Sequence, residues 1–172
     1  ITANYPVKVM NWFMRRQAYE NATDPYYYNN RFNFSNAEYT QIPFSDQESM
    51  HPIISQTIIY LNGVQLLAMS LPLSDRSRLD GSLYYKFAQT ENHRLSTPDK
   101  NIYTYSFCLN PLDPQPSGAV DFSQMDSNST LLTGSLYEYA FADKGWNLHI
   151  FYTGYNEITY SKGLVSMLFS AT

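Results

Sequence analysis

Short stretches in which apolar and polar residues alternate occur along much of this chain. The clearest is residues 102–109, IYTYSFCL. Its large apolar members fall on one face and its small polar members on the other: Tyr103, Tyr105, Phe107 and Leu109 against Thr104, Ser106 and Cys108. A period of two residues is that of a half-buried β-strand. We therefore predict a strand here, with its aromatic face in the core and Cys108 as a buried structural thiol.

Similar runs predict further strands, separated by turn signals. They lie at residues 5–14, 53–61, 64–69, 119–123, 131–133, 137–140, 146–153 and 164–170. Asn62-Gly63, between two of these runs, is a strong hairpin signal. No segment keeps a period of 3.6 residues over three turns. Such a pattern predicts an all-β fold, an antiparallel sandwich of about eight short strands, formed by residues 1–172 as a single domain.

Two irregular segments interrupt the strands. After residue 109, Asn110-Pro111, Asp113-Pro114 and Pro116-Ser117-Gly118 predict a stiff loop, because proline has no amide hydrogen and glycine reaches backbone angles closed to other residues. Residues 15–50 form a long insertion with no period, and connections longer than about 15 residues usually have a function. We expect its aromatic side chains to be anchors of a subunit interface or of loop packing: Tyr26, Tyr27, Tyr28, Phe32 and Phe34.

Composition narrows the classes of function. Hydrophobic residues make up 44% of the chain, charged residues 15%, and the net charge is -4. A nucleic-acid surface needs clustered cations, so we expect no direct nucleic-acid partner. The one short cationic cluster, Arg15-Arg16, is interpreted as a strand end. No apolar run approaches the roughly 20 residues that span a bilayer, so we expect no membrane-spanning segment.

Catalytic signatures are missing from the sequence. His51, His93 and His149 lie far apart without ligand spacing, so we predict no metal and no cofactor. Glu138 and Glu157 resemble an acid/base pair only in residue type, and we interpret them as edge-strand carboxylates that discourage sheet aggregation. The chain is therefore predicted not to be an enzyme.

The segment from residue 103 to residue 123 resembles a motif of the major capsid proteins of nucleocytoplasmic large DNA viruses. That motif has the order Tyr-x-Tyr-Ser-Phe-x-Leu-x-Pro, then Gln-Pro-Ser-Gly, then Asn/Asp-Phe-Ser. The matching positions are Tyr103, Tyr105, Ser106, Phe107, Leu109 and Pro111, then Gln115, Pro116, Ser117 and Gly118, then Asp121, Phe122 and Ser123. Weaker similarities keep the same order, at Tyr5-Pro-Val-Lys8 with Trp12, at Leu61-Asn-Gly63 and at Tyr155-Asn156. Residues 15–50 and 159–165 depart from the family pattern.

This resemblance implies an eight-stranded jelly roll, the second of two consecutive jelly rolls, so that an N-terminal one is missing from this chain. It also implies a structural virion protein that forms homotrimers, builds pseudo-hexagonal capsomers of an icosahedral capsid and assembles in the host cytoplasm. Its partners would be neighbouring capsomers and minor capsid proteins. The alternative is a jelly-roll carbohydrate- or receptor-binding module that uses Tyr26–Tyr28.

Overall fold

The computed structural model describes residues 3–20, 32, 34, 54–70, 101–126, 130–136 and 145–169. Within these ranges the chain forms nine strands: β1 Pro6–Arg16, β2 Ile54–Leu61, β3 Val64–Ser70, β4 Tyr103–Ser106, β5 Val120–Asp121, β6 Leu131–Leu136, β7 Trp146–Gly154, β8 Ile158–Ser161 and β9 Leu164–Met167. The helical residues of the same ranges form two short 3-10 helices, Gln17–Tyr19 and Phe122–Gln124. The all-β prediction is confirmed. The strand predicted at 137–140 lies outside the described residues, as do Tyr26–Tyr28, His51, His93 and Glu138.

The first sheet is built around β1. One edge of β1 pairs with β7 along nearly its whole length, and the other edge pairs with β4 and, further toward its start, with β5. All three pairings are antiparallel, and Trp12 stands opposite both Tyr103 and Ile150. A bulge at Lys8 shifts the register with β7, since Val7 pairs with Gly154 and Val9 with Thr153. Both faces of β1 carry buried side chains, as its apolar pattern predicts.

The second sheet has the order β3-β2-β6 and is also antiparallel. Its β2 and β3 are joined by Asn62 and Gly63, both with positive φ, of 47° and 78°. Those angles are the ones a two-residue type I′ turn requires, so the hairpin predicted from Asn-Gly is confirmed. The local sequence alone therefore predicts this hairpin correctly.

Residues of both sheets meet in one hydrophobic core. Met10, Trp12 and Tyr103 come from the first sheet, and Ile54 and Ile59 from the second. Trp12 and Tyr103 stack with ring centroids 5.9 Å apart. Burying one side chain of this size stabilises the fold by about 1.5–3 kcal/mol, so these few positions hold the two sheets together. Tyr103 is thus a core residue. Tyr105 of β4 and Phe107, which follows β4 directly, are partly buried and pack against the same core, as predicted.

Several boundaries predicted from the pattern are wrong, and the strand predicted at 164–170 ends at Met167. The strand predicted to run to residue 109 ends at Ser106, and Leu109 is 75% exposed instead of continuing the aromatic face. The strand predicted at 119–123 has only two residues, because the 3-10 helix begins at Phe122. Nine strands, some of them very short, occur among the described residues, and the eight-stranded jelly roll stays a prediction for the whole chain.

Candidate functional site

The family-like motif places its aromatic side chains in one continuous ladder across the first sheet. Tyr105 and Phe107 meet edge to face at 5.1 Å, and Phe107 meets Phe122 edge to face at 5.7 Å. Phe122 in turn lies 6.0 Å from Tyr152 of β7. Burial raises the pKa of Tyr105, and burial together with Tyr5 raises the pKa of Tyr152 to about 12. Both phenols therefore stay neutral at physiological pH, and the ladder has a packing role.

The Asp121-Phe122-Ser123 part of the motif explains why Phe122 reaches this ladder. The Asp121 carboxylate accepts hydrogen bonds from the Ser123 amide at 3.0 Å and from the Ser123 hydroxyl at 2.6 Å. An aspartate in this position caps the start of a helical turn. The capped turn of the 3-10 helix directs Phe122 inward, where it is 4% exposed.

The end of β4 is set by the Ser106 side chain. Its hydroxyl donates to the Cys108 carbonyl at 2.8 Å, and the Cys108 amide donates back to that hydroxyl at 3.3 Å. A serine that bonds the backbone two residues further on replaces the sheet ladder with a local turn. The Cys108 thiol lies beside the Ser106 hydroxyl, and its predicted burial is confirmed. Sequence reasoning missed the strand end because Ser106 also fits the alternating pattern.

The loop that follows is closed by the Ser117 side chain. The Asn110 amide donates to the Ser117 hydroxyl at 2.9 Å, and that hydroxyl donates to the Asn110 carbonyl at 3.4 Å. The Asp113 amide donates to the same carbonyl at 3.3 Å, which forms a turn inside the loop. We call residues 109–118 the stapled loop. It buries Pro111 and exposes Leu109, Leu112, Gln115 and Pro116.

A polar cluster holds the other end of β1 to β7. The Glu20 carboxylate accepts hydrogen bonds from Asn147 at 2.7 Å and from Arg15 at 3.2 Å, and it also contacts His149. The Asn147 bond, followed by those from His149 and Arg15, lowers the pKa of Glu20 against the opposing effect of burial. Arg16 ends β1, donates to the Tyr19 hydroxyl at 3.0 Å and lies over the ring of Trp146. Arg15-Arg16 is thus a strand end, as predicted, with both side chains committed to structural contacts.

Two of the predicted interface aromatics fall among the described residues. Phe32 is 80% exposed. Phe34 packs on Phe13 of β1, with ring centroids 4.3 Å apart. On the same outer face of the first sheet, Phe13 also stacks against His149 and Phe151. Phe34 therefore contacts its own domain. The interface role predicted for the five aromatic residues of the insertion stays a prediction.

The described part of the chain was predicted to hold no metal, and its side chains can be compared with that prediction. No group of three potential metal ligands occurs there. A cavity of about 240 Å³ opens between the sheets beside Trp12, Met14, Ile54, Leu132 and Leu148. Thr57, Thr133, Gly134 and Ser135 complete its lining, so no titratable group faces it. None of the helical segments described here has the length and apolar character needed to traverse a bilayer.

The strands β8 and β9 form a separate two-stranded sheet whose apolar side chains face solvent. Ile158, Tyr160, Val165 and Met167 are between 50% and 75% exposed. The hairpin turns at Lys162 and Gly163, with φ of 50° and 78°. This pair of strands was only partly predicted, because Lys-Gly is a weaker type I′ signal than Asn-Gly. The described residues thus expose apolar side chains on this hairpin as well as on the loop at residues 109–118.

Solved capsid structures share this fold. The PBCV-1 capsid protein, whose crystal structure was fitted into a reconstruction of the virophage Sputnik, superimposes with a TM-score of 0.62 at 16% identity, over 99% of this chain and 45% of that one. The fold is therefore the jelly-roll type of viral capsid proteins.

Sequence comparisons identify the family. A family model described as large eukaryotic DNA virus major capsid protein matches residues 1–163, and the chain belongs to this family. The major capsid protein of Phaeocystis pouchetii virus is 37% identical over 70 residues, which are 41% of this chain and 13% of that protein. The major capsid protein of Chrysochromulina ericina virus is 28% identical over 109 residues, 63% of this chain and 18% of that protein. The chain thus matches only a minor part of the length of each relative.

Proposed function

We propose that this chain is the C-terminal, eight-stranded jelly roll of a two-jelly-roll major capsid protein, a structural component of the virion. Three copies of the full polypeptide would form a pseudo-hexagonal capsomer, and capsomers, together with minor capsid proteins, would tile an icosahedral shell assembled in the host cytoplasm. The match of the family model to residues 1–163 carries this proposal. This chain covers 45% of the PBCV-1 capsid chain, which is close to the share expected for one of two similar domains.

The physical properties of the domain support a role in a shell. The stapled loop is held by the Ser117 bonds and by its prolines, so little conformational freedom remains to be lost when a neighbour packs against it. The same loop exposes Leu109 and Leu112, at 75% and 74%. Preorganised apolar surface of this kind favours stable association over transient binding. We therefore assign the motif a structural role, in which its residues shape the loop and the core beneath it.

The mass in solution of the full-length polypeptide tests this function. Light scattering under native conditions should give the mass of a trimer, and negative-stain images should show particles of hexagonal outline. A monomer at micromolar concentration, with no such particles, would contradict the capsomer. The carbohydrate-binding alternative depends on Tyr26–Tyr28, and none of the described residues supports it. Glycan binding by a monomer, lost when these tyrosines are replaced by alanine, would favour that alternative.

A further inference from the structure

Asn62, at the tip of the β2–β3 hairpin, has the chemical setting of a self-modification site. It is the only asparagine of this chain that a glycine follows. In such a pair the backbone nitrogen of the glycine can attack the side-chain amide carbon of the asparagine, because a residue without Cβ leaves that nitrogen accessible. Asn62 and Gly63 are both exposed, and a Cβ built on Gly63 would meet nothing within 4 Å beyond its chain neighbours. Neighbouring groups therefore neither block the attack nor exclude water.

The reaction open to this pair is deamidation. A bond forms between the Gly63 nitrogen and Cγ of Asn62, and the bond between Cγ and Nδ2 breaks. The released nitrogen takes up the Gly63 amide proton and leaves as ammonia. Water then opens the resulting succinimide ring at either carbonyl carbon, which gives aspartate or isoaspartate. Water is the only co-reactant, and no oxidant or reductant is needed.

The folded turn holds the two reacting groups apart. Leu61 pairs with Val64, so Asn62 and Gly63 are the two central residues of the turn, with φ of 47° and 78°. The first central residue of a type I′ turn has ψ of about 30°. At that ψ the next backbone nitrogen lies nearly opposite the side chain about the Cα–C bond, whereas the attack requires both on the same side. The turn must therefore open before the reaction can occur.

The Asn62 residue is also tied to a neighbouring segment. Its Oδ1 accepts a hydrogen bond from the Asp126 amide at 3.1 Å. Its own amide donates to the Thr130 hydroxyl at 3.5 Å, and Thr130 is 1% exposed. These bonds join the hairpin tip to the segment that precedes β6. The bond to Asp126 must break before Cγ can reach the Gly63 nitrogen, so it adds to the free energy of opening.

We infer that Asn62 is a deamidation site gated by the fold, which the closed hairpin protects and each local opening of β2 and β3 exposes to reaction. An isoaspartate adds one atom to the main chain, and a two-residue turn fixes the register of its strands. A molecule that has reacted in this way therefore carries a lasting mark of having opened, and its hairpin closes less well. The inference depends only on contacts within this domain, so it is independent of the proposed capsid function.

Rates of deamidation in the full-length polypeptide and in a peptide of residues 60–65 test this inference. Both are incubated at the same mildly alkaline pH, and aspartate and isoaspartate at position 62 are measured by mass spectrometry of peptide fragments. Hydrogen exchange of the amides that pair β2 with β3 gives the opening equilibrium in the same buffer. Asp126→Pro removes the amide that bonds Asn62, and Asp126→Ala is the matched control because it keeps that amide. Circular dichroism verifies the fold of both variants.

We expect Asn62 to react at least about 10-fold more slowly in the folded protein than in the peptide, by the factor that hydrogen exchange gives for opening. Asp126→Pro should raise the rate in the folded protein at least about threefold, as loss of one hydrogen bond does, and Asp126→Ala should leave it unchanged. Equal rates in the folded protein and the peptide would overturn the inference. A peptide that does not react would overturn it as well. An Asp126→Pro rate no higher than that of Asp126→Ala would overturn the role assigned to the bond between Asp126 and Asn62.

Discussion

Replacing Gly118 by alanine tests whether the backbone itself holds the stapled loop in one conformation. Gly118 has φ of 140°, a region that is essentially restricted to glycine. An added Cβ would lie 3.3 Å from the Phe107 carbonyl oxygen and 3.4 Å from the Cys108 Cα. Both neighbours are backbone atoms at the end of β4. The Phe107 amide is fixed there by a bond of 2.8 Å to the Lys8 carbonyl, so the neighbours cannot move aside without disturbing the first sheet.

The expected loss of stability follows from these two effects. A non-glycine residue in such a conformation costs about 1–3 kcal/mol. The tight backbone contacts add to this, and we expect a total of about 3 kcal/mol, within the range of a severe single substitution. Gly63→Ala is the matched control, because Gly63 has φ of 78° and no atom within 4 Å of the added Cβ. Its cost should be only about 1 kcal/mol, from the left-handed backbone alone.

Urea unfolding of the wild type and both variants measures the difference. The free energy of unfolding is obtained by linear extrapolation, and the three slopes should agree if only the folded state is strained. A Gly118→Ala loss no larger than that of Gly63→Ala would refute the reasoning. It would mean that the loop shifts freely, and that the Ser117 bonds do not hold it in one place.

Two further predictions concern hydrogen bonds at the ends of strands. Hydrogen bonds, chiefly the one from Asn147, lower the pKa of Glu20 in the folded state. The Glu20 carboxylate therefore stabilises the fold at pH values above its unfolded pKa of 4.5, and this stabilisation is lost as the pH falls through the lowered pKa. Thermal unfolding should therefore show a lower Tm for Glu20→Gln at pH 7 and a shrinking difference below about pH 4; a difference independent of pH would contradict this. Replacing Asn156 by alanine removes the bonds to Phe169, so amide hydrogen exchange in residues 158–168 should accelerate while exchange in β1 is unchanged. Equal acceleration in both regions, or in neither, would show that Asn156 does not act locally.

Local sequence patterns predicted most of the strands, for reasons that are themselves local. The alternation in β1, β4 and β7 marks residues that face the core, and Asn62-Gly63 allows one kind of tight turn. The aromatic core members Trp12, Tyr103 and Phe107 were visible from the same period of two. Strand ends were harder to predict. Ser106 fits the alternation equally well whether its hydroxyl lies in a strand or bonds the backbone of Cys108.

The candidate site, too, was predictable from the sequence only in part. The motif from Tyr103 to Phe122 identified the stapled loop and the family resemblance, because the order of residue types along the chain is enough for that. The bonds between Asn110 and Ser117 were not predictable, since they depend on how the prolines fold the loop back on itself. The sequence did not predict that the apolar side chains of β8 and β9 lie in solvent. Apolar residues in a strand have the same pattern whether they face a core or solvent.

By itself, the sequence determined that this chain is an antiparallel β protein of the large DNA virus capsid family, with a stiff loop after its most aromatic strand. Period, turn residues and motif order are properties of the linear chain. Only the tertiary structure decided which apolar faces are covered. Met10 and Ile59 are fully buried between the two sheets, whereas Tyr160 and Val165 lie in solvent. Burial depends on the other segments that fold over a strand, and the alternation within that strand does not specify them.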